Sequence, residues 1–234
     1  MSTQNEPASA THRDSEDILA NEQKSVRLNK MLVWAIIAVS VIVILVIIYI
    51  FAIRQPGIQA ADNAIGQADM SNNLGRDSIA LVQYKQVADN YGYDAGNRAA
   101  LNAAIILYQQ AQRDTVDRTA KLEEAISYLK KYDTKETVIG ASSRSLMGDC
   151  YVNLGNLQEG RKCFAEAARL SDNNPAYTPF FMMKEATVDR ALGDYAAEAA
   201  IYQAILDRFP TYGAEQGLDI EKYLKRAQAS ADSK

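Results

Sequence analysis

Histidine and cysteine are scarce in this sequence, and their scarcity removes the side chains on which most nucleophilic and metal chemistry depends. The chain has one histidine, His12, and two cysteines, Cys150 and Cys163. His12 stands in a polar stretch without a metal-binding partner at helical spacing, and the cysteine spacing matches no zinc site. We therefore expect no metal ion and no other cofactor. The cysteines are predicted to pack as small apolar side chains in preference to a disulfide, which requires Cα atoms within about 7 Å.

Other signals of catalysis and of nucleic-acid binding are also missing. The sequence has no glycine-rich phosphate loop between a strand and a helix, no Ser-His or Cys-His pair and no carboxylate cluster of distinctive spacing. Glu123 and Glu124 are expected to lie on a solvated helix face. Lysine and arginine total 25 against 29 acidic residues, with the two signs interspersed, which argues against a nucleic-acid surface. The sequence predicts a protein that is not an enzyme and has no small-molecule substrate.

One long apolar run is present, and it is expected to organise the chain. Residues 31–53 contain no charged residue, proline or glycine, and a helix of this length reaches about 34 Å, enough to cross a hydrocarbon core of about 30 Å. Trp34 and Tyr49 lie near its ends, where amphipathic rings prefer the membrane interface. Residues 54–57, Arg-Gln-Pro-Gly, are predicted to end the helix. A cleaved signal peptide is disfavoured, because its apolar core would be shorter, about 7–15 residues.

The charges that flank the apolar run predict its orientation. Lys24, Arg27 and Lys30 precede it, and Arg54 is the one basic residue that follows within a comparable distance. Under the positive-inside rule, this bias places the N-terminus in the cytoplasm and the rest of the chain in the periplasm of a two-membrane bacterium. The residues before the run lack apolar periodicity, so they are predicted to be disordered. The predicted divisions are a disordered cytoplasmic tail at 1–30, an inner-membrane helix at 31–53 and a periplasmic domain at 54–234.

Residues 142–175 carry the clearest internal repeat of the domain. Apolar positions recur there at intervals of three and four residues without an alternating strand pattern, which predicts an all-α fold. The spacing resembles the tetratricopeptide repeat, in which a small residue on the first helix lets the second approach and an aromatic ring fills the space between them. The residues that carry this spacing are Gly148, Tyr151, Gly155, Gly160, Phe164 and Ala167. Further copies of the second half of the repeat begin at Gly193, Gly75 and Leu122.

Four copies of the repeat predict an α-solenoid of four helix pairs after the transmembrane helix. In such a stack each pair buries its apolar face on the next, and a terminal helix covers the last face. The second pair is longer than its turn requires, so residues 109–118 are expected to extend its first helix or to form a longer connection. The predicted pairs span about 57–92, 97–133, 139–172 and 177–209, with a capping helix at about 214–230.

The first helices of the pairs are predicted to line a groove that binds protein segments, as in other helical arrays. Setting Gly148 in register with Ala186 gives the candidate contacts, which are Ser145, Asp149, Asn153, Phe180, Met183, Thr187 and Arg190. Phe180, Met183 and Arg190 are the leading candidates. The alternative is that Phe180 and Met183 lie buried under the next helix, since apolar residues at helical spacing usually belong to the core. The neighbours assigned to the core are Tyr177, Phe181 and Met182.

A short cytoplasmic tail, one uncleaved N-terminal span and a periplasmic tetratricopeptide domain together resemble the ancillary Sec-translocon subunit family of the bacterial inner membrane. The segments GRDSIALVQYKQVADNYG and GDYAAEAAIYQAILDRFP are similar to the repeats of that family. The segments DNYGYDAGN and LSDNNPAYTPFFMMKEA resemble its Bacteroidota branch. The resemblance implies a non-catalytic helper that meets polypeptides leaving the translocon and works with a membrane-anchored periplasmic chaperone of the prolyl-isomerase type.

Two other functions stay open at the level of the sequence. A structural scaffold in an envelope secretion or assembly complex would use the same array to hold one folded partner, and a flat polar groove would favour it over the chaperone function. An organelle import receptor with a cytosol-facing array is disfavoured by the flanking charges. Asp149 stands where arrays that hold the acidic C-terminus of chaperones have an asparagine, so binding of a carboxylate terminus is not expected.

Overall fold

Every regular element in the residues that this computed structural model describes, 10–133 and 136–233, is a helix. In chain order the helices are α1 Ala10–Ile48, a π-helical segment Tyr49–Arg54, α2 Gln55–Asn73, α3 Asp77–Asn90, α4 Asp94–Arg113, α5 Arg118–Lys131, α6 Thr137–Asn153, α7 Leu157–Leu170, α8 Tyr177–Leu192, α9 Tyr195–Arg208, α10 Tyr212–Gln216 and α11 Ile220–Asp232. The chain forms two compact units, Met1–Gly57 and Ile58–Lys234.

The apolar run lies in a helix that is long and apolar enough to cross a membrane. The helical stretch Asn29–Asn73 contains a window with a mean hydropathy of 3.4, none of which is buried in the protein. This assignment rests on the length and the composition of the helix. The core helix of a soluble protein and a signal sequence meet the same two criteria. The membrane span and its orientation therefore stay predictions.

The backbone does not leave the helical conformation at residues 54–57, contrary to the sequence prediction. Helix α2 begins at Gln55 and includes Pro56 and Gly57. Proline lacks an N–H donor and crowds the carbonyl four residues earlier in a regular α-helix. In the π-helical segment just before it, backbone hydrogen bonds join residues that are five apart. The hydrogen bond from the Gln55 N–H to the Ile50 carbonyl is an example. The wider turn accommodates the proline, so the helix continues.

The residues before the apolar run are also helical where the structure describes them. Helix α1 begins at Ala10, so the described part of the tail predicted at 1–30 is helical, and residues 1–9 lie outside the described part. The physical reason is cooperativity: once the apolar run has nucleated a helix, each further residue adds one hydrogen bond at little extra cost. The Glu, Gln, Lys, Arg and Leu residues of this stretch are good helix formers.

The four helix pairs predicted from the repeats are confirmed, with bounds within a few residues of those expected. They are α2 with α3, α4 with α5, α6 with α7 and α8 with α9. Gly75, Gly155 and Gly193 form the turns inside the first, third and fourth pairs with φ values of 70°, 79° and 73°, in the left-handed region that glycine adopts at no steric penalty. The second pair lacks this glycine. Its first helix instead runs on to Arg113 and a longer connection follows, as expected.

Small residues set the close approach of the two helices in the third pair. A Cβ atom added at Gly148 would lie 2.7 Å from Cε1 of the Phe164 ring, and one at Gly160 would lie 2.5 Å from Cγ2 of Val152. Gly148 and Phe164 are both buried. The packing that the tetratricopeptide spacing predicts is therefore present. Cys150 and Cys163 are buried free thiols in the same core, as expected for small apolar side chains.

The predicted capping helix is present but divided into two. Gly217, with φ 66°, ends the short helix α10, and the carboxylate of Asp219 accepts a hydrogen bond of 2.9 Å from the Lys222 N–H at the start of α11. A left-handed glycine followed by an N-capping aspartate stops one helix and starts the next. Helix α11 packs on α9 and buries Ile220 and Leu224, so it covers the last apolar face of the array.

Candidate partner-binding surface

Helix α8 presents four of the seven candidate contacts in one stripe. Thr187 and Arg190 are exposed, Met183 is half-buried and Phe180 exposes 44% of its surface. The alternative that Phe180 lies buried under the next helix is therefore wrong. The stripe follows helical spacing along one side of α8, and the opposite side carries the buried residues. We call Phe180, Met183, Thr187 and Arg190 the α8 stripe.

The aromatic residues at the start of α8 divide between core and surface. Phe181 and Met182 are buried, as predicted. Tyr177, which was also assigned to the core, exposes 42% of its surface. It is the first residue of α8, where no preceding turn covers it, and its ring stacks on Phe181 with centroids 6.4 Å apart. Phe180 meets the same ring edge-on at 5.5 Å. Two exposed aromatic rings are thus held in place by one buried ring.

Lys184 joins α8 to the first helix of the preceding pair. Its Nζ donates to Oδ2 of Asp149 at 2.6 Å and to Oγ of Ser145 at 3.2 Å. The same ammonium lies over the rings of Phe180 and Phe164, at 5.2 and 5.3 Å from their centroids. Cations are attracted to aromatic faces at these distances, more strongly when partly shielded from water. Sequence reasoning missed Lys184, although its position one turn after Phe180 places it on the same side of α8.

Asn153, the third candidate on α6, is engaged with the second helix pair. Its Oδ1 accepts from Gln112 Nε2 at 3.4 Å and from the Arg118 guanidinium, and its Nδ2 donates to the Asp149 carbonyl at 2.8 Å. Burial raises the pKa of the nearby Tyr108, and the charge of Asp149 adds to that increase. Through these contacts Asn153 joins α6 to α4 and α5. Its side chain is therefore engaged inside the array and is not free to contact a partner.

The three α6 candidates are thus occupied inside the array, unlike those on α8. Ser145 exposes only 3% of its surface, and Asp149 is held by Lys184. The structure places the α6 and α8 candidates beside each other, with Lys184 as the link. The accessible part of the predicted site is the α8 stripe. The polar side chains next to it on α6 are engaged in hydrogen bonds inside the array.

Behind the stripe, α8 carries a buried carboxylate with a charge partner but no hydrogen bond. Asp189 is fully buried, and Nε of Arg161 lies 2.7 Å from its Oδ1. Within the described residues neither oxygen has a hydrogen-bond donor in good geometry. Burial raises the pKa of Asp189, Arg161 opposes the increase, and Asp194 and Glu198 add to it. Arg161 therefore stabilises a charge that the core alone would not tolerate.

Two further carboxylates lie near Asp189, and both are partly or fully removed from water. Burial raises the pKa of Glu185 from 4.5 to about 6, with a further contribution from the charge of Asp189. Glu198 is 1% exposed, and its Oε1 accepts a hydrogen bond of 3.2 Å from Arg226 of α11. Among the described residues no group of three or more acidic, histidine or cysteine side chains is arranged to hold a metal ion. Glu185 and Asp189 belong to α8, and Glu198 belongs to α9.

We expect Glu185→Gln to stabilise the domain above pH 7 and to have little effect at pH 4. A carboxyl group whose pKa is higher in the folded state, here about 6 against 4.5, favours folding while protonated. That contribution is complete below 4.5 and is lost as the pH rises through 6. Since Glu185 is partly exposed, the gain should be about 1 kcal/mol. Urea unfolding of residues 58–234 at both pH values measures it, with exposed Glu215→Gln as the control. An equal gain at both pH values would contradict the assignment.

The comparisons with known proteins concern the fold. No family model matches the chain, and no curated protein matches it by sequence. A crystal structure of MamA is similar at 17% identity and a TM-score of 0.48, covering 71% of this chain and 95% of that one. TTC0263, a thermophilic TPR protein in Thermus thermophilus, is similar at 23% identity and a TM-score of 0.44, covering 73% and 81%. With TM-scores below 0.5, these likenesses add no argument to the helix pairs described above.

The described helices define the class of protein. It is an all-α protein in which one long apolar helix is followed by stacked helix pairs of the tetratricopeptide-repeat type, closed by a terminal helix. Stacks of this type are protein-interaction modules, whose surfaces hold segments of other proteins. Of the predicted site, the α8 stripe is the accessible part.

Proposed function

We propose that this protein is a non-catalytic protein-binding module, tethered to a membrane through residues 31–53, whose α8 stripe contacts polypeptide segments. The observation that carries the proposal is Phe180, a large aromatic side chain that is 44% exposed yet fixed by its contacts with Phe181 and Lys184. Rigid aromatic anchors give much contact area for little loss of conformational entropy, and they dominate binding energy at interfaces.

The chemistry of the stripe favours a particular kind of segment. Phe180 and Met183 offer an aromatic ring and a flexible thioether side by side, which suits varied apolar side chains. Arg190 is exposed two turns after Met183 on α8 and favours an acidic group. The partner segment is expected to have an apolar anchor followed, after about 10 Å of helix or chain, by an acidic residue.

The proposed setting is the bacterial inner membrane, with the N-terminus in the cytoplasm and the helix pairs in the periplasm. The basic residues before the apolar run support that orientation. The resemblance to the ancillary translocon subunits supports a role beside the Sec translocon together with a periplasmic chaperone. The partners would then be emerging polypeptides, which expose apolar segments before they fold.

The polar side chains on α6 favour a second candidate, a structural scaffold of an envelope secretion or assembly complex. Ser145, Asp149 and Asn153 are already satisfied by contacts inside the array. A polar region whose side chains are already engaged offers little apolar area to varied unfolded segments, so it favours one folded partner. The two functions differ in stoichiometry, because a scaffold retains one partner and a chaperone retains many.

The test is affinity isolation of the full-length protein from solubilised membranes after mild cross-linking in cells. We expect wild-type protein to recover translocon subunits, a chaperone and heterogeneous clients. The variant with Phe180→Ser and Met183→Ser should lose about 90% of the clients, since removal of two central contacts costs at least tenfold in affinity.

Val116→Ser is the matched control, because Val116 is an 86% exposed apolar residue outside α8. Circular dichroism should show the same helicity for all variants. Recovery of one envelope complex without translocon subunits would favour the scaffold. Unchanged clients in the α8 variant would contradict the assignment of the stripe.

A further inference from the structure

A groove lined by amide side chains lies between α2 and α3. Its volume is about 360 Å³, which falls within the range of about 300–1,000 Å³ that is usual for ligand sites. The amide residues in its lining are Gln67 of α2 and Gln83, Gln86 and Asn90 of α3. The rest of the lining is uncharged. The groove shares no residue with the α8 stripe.

One amide oxygen of this lining lacks a hydrogen-bond donor. The Oε1 atom of Gln83 is buried and, within the described residues, accepts no hydrogen bond. Native proteins pair nearly all of their buried polar atoms, because a buried acceptor without a donor destabilises the fold. An N–H group of a ligand in the groove would satisfy this oxygen. The Gln83 amide is therefore the feature of the groove that points to a ligand.

The three amides of α3 lie along one stripe of the helix. Gln83, Gln86 and Asn90 are separated by three and four residues, the spacing that places side chains on the same face. The Nδ2 atom of Asn90 donates to the Gln86 carbonyl at 2.8 Å, which orients the Asn90 carboxamide. From Gln83 to Asn90 the helix rises about 10 Å. Three residues of an extended chain, at about 3.3 Å each, have the same length.

The charged residues in this part of α3 are paired with the second helix pair. Lys85 forms an ion pair with Glu124 of α5, and Asp89 forms one with Lys131 of α5 at 2.7 Å. Asp89 also accepts a hydrogen bond of 3.1 Å from the Tyr128 hydroxyl. A charged ligand in the groove would meet an uncharged lining, where its own charge would have no partner. The lining therefore favours an uncharged ligand.

Among uncharged ligands, the amides favour the backbone of an extended polypeptide. A carboxamide has an N–H donor and a C=O acceptor, as a peptide group has, so the two can exchange hydrogen bonds. In an α-helical partner the backbone groups are already paired, except at the ends. A sugar would present hydroxyl groups, which form their strongest hydrogen bonds with charged side chains. The lining contains none of these.

We propose that the groove between α2 and α3 binds an extended, uncharged polypeptide segment through its backbone, with Oε1 of Gln83 accepting an N–H of that segment. Chains that have not yet folded present such segments, because their backbone groups are not yet paired within secondary structure. Binding through the backbone does not depend on the side chains of the segment. If the α8 stripe holds apolar side chains, as proposed above, the groove supplies a second contact to the same chain, and two linked contacts raise the overall affinity.

The test measures the binding of a capped peptide of alternating threonine and serine, labelled with a neutral fluorophore, to the full-length protein in detergent. The peptide has no charge and no large apolar side chain, and threonine favours the extended conformation. We expect saturable binding by fluorescence anisotropy. The same peptide with N-methyl groups on alternate residues lacks half of its N–H donors, so it should bind at least tenfold more weakly.

Gln83→Leu removes the amide and keeps a side chain of similar size. Peptide binding should fall at least tenfold, while the urea unfolding midpoint should stay the same or rise, because the unpaired buried oxygen is gone. A glutamine that only supports the fold would lower the midpoint when replaced. Gln158→Leu is the matched control, since Gln158 is an exposed glutamine of α7 outside the groove, and it should leave peptide binding unchanged.

Several outcomes would overturn the proposal. They are the absence of saturable binding, equal binding of the N-methylated peptide, and unchanged binding or a lowered unfolding midpoint for Gln83→Leu. Displacement of the peptide by a trimer of N-acetylglucosamine would also overturn it, in favour of a sugar site. The result is separable from the proposed function, because the variant with Phe180→Ser and Met183→Ser should bind this peptide as the wild type does.

Discussion

Replacing Arg161 by alanine is expected to lower the free energy of unfolding by about 3 kcal/mol at pH 7. The guanidinium is the nearest charge to Asp189, with Nε 2.7 Å from Oδ1, and Asp189 has no exposure to water. Removing one partner of a buried pair leaves an uncompensated charge, which is more damaging than loss of the pair as a whole. Denaturant unfolding of residues 58–234 measures the change.

Two comparisons isolate the cause of that loss. Asp189→Asn in the Arg161→Ala background should recover most of the stability, because the buried group is then neutral. Lys162→Ala removes the neighbouring cation, which is largely exposed and pairs with Glu159, and should leave the unfolding midpoint unchanged. If the alanine variant does not fold, Arg161→Lys gives a measurable intermediate loss. Equal effects of Arg161→Ala and Lys162→Ala would contradict the account.

Replacing Gly148 by alanine is expected to lower the free energy of unfolding by about 2 kcal/mol, although alanine is the better helix former. The added Cβ would lie 2.7 Å from Cε1 and 2.9 Å from Cδ1 of Phe164. The ring is buried between α6 and α7, so α6 and α7 must move apart or the ring must leave its position. Thermal and urea unfolding of residues 58–234 test the prediction.

Gly66→Ala is the matched control, because Gly66 is exposed in α2 and a Cβ there would meet no atom within 4 Å. That variant should gain up to about 1 kcal/mol from the helix propensity of alanine. Combining Gly148→Ala with Phe164→Leu should be less harmful than the two separate losses added together, since the smaller side chain frees space. A Gly148→Ala protein as stable as the wild type would show that α6 and α7 do not pack as described.

The bounds of the helix pairs could be predicted because the repeat spacing depends on local chemistry. Gly155 and Gly193 mark turns through their backbone freedom, and Gly148 with Phe164 marks the contact between two helices. These signals lie within one or two helices, so they can be read from the chain alone. The division of the capping helix at Gly217 could have been found from the same glycine signal followed by Asp219.

The candidate site could be predicted only in part, because long side chains decide which positions stay open. Register placed Asp149 and Phe180 near each other, but it did not show that Lys184 would reach from α8 to Asp149 and close the α6 side. The ion pair of Arg161 and Asp189 joins α7 to α8, and no local pattern in the sequence predicts such a pair. The continuation of the helix past Pro56 depended on a π-helical turn, which proline alone does not predict.

Contact between the α8 stripe and polypeptide partners can be detected in living cells. Incorporation of a photoreactive phenylalanine analogue at position 180 of the full-length protein, followed by illumination of living cells, tests it most directly. We expect covalent adducts with other polypeptides at position 180 and none at position 116, an exposed site outside α8. Absence of adducts at position 180, or equal adducts at both positions, would contradict it.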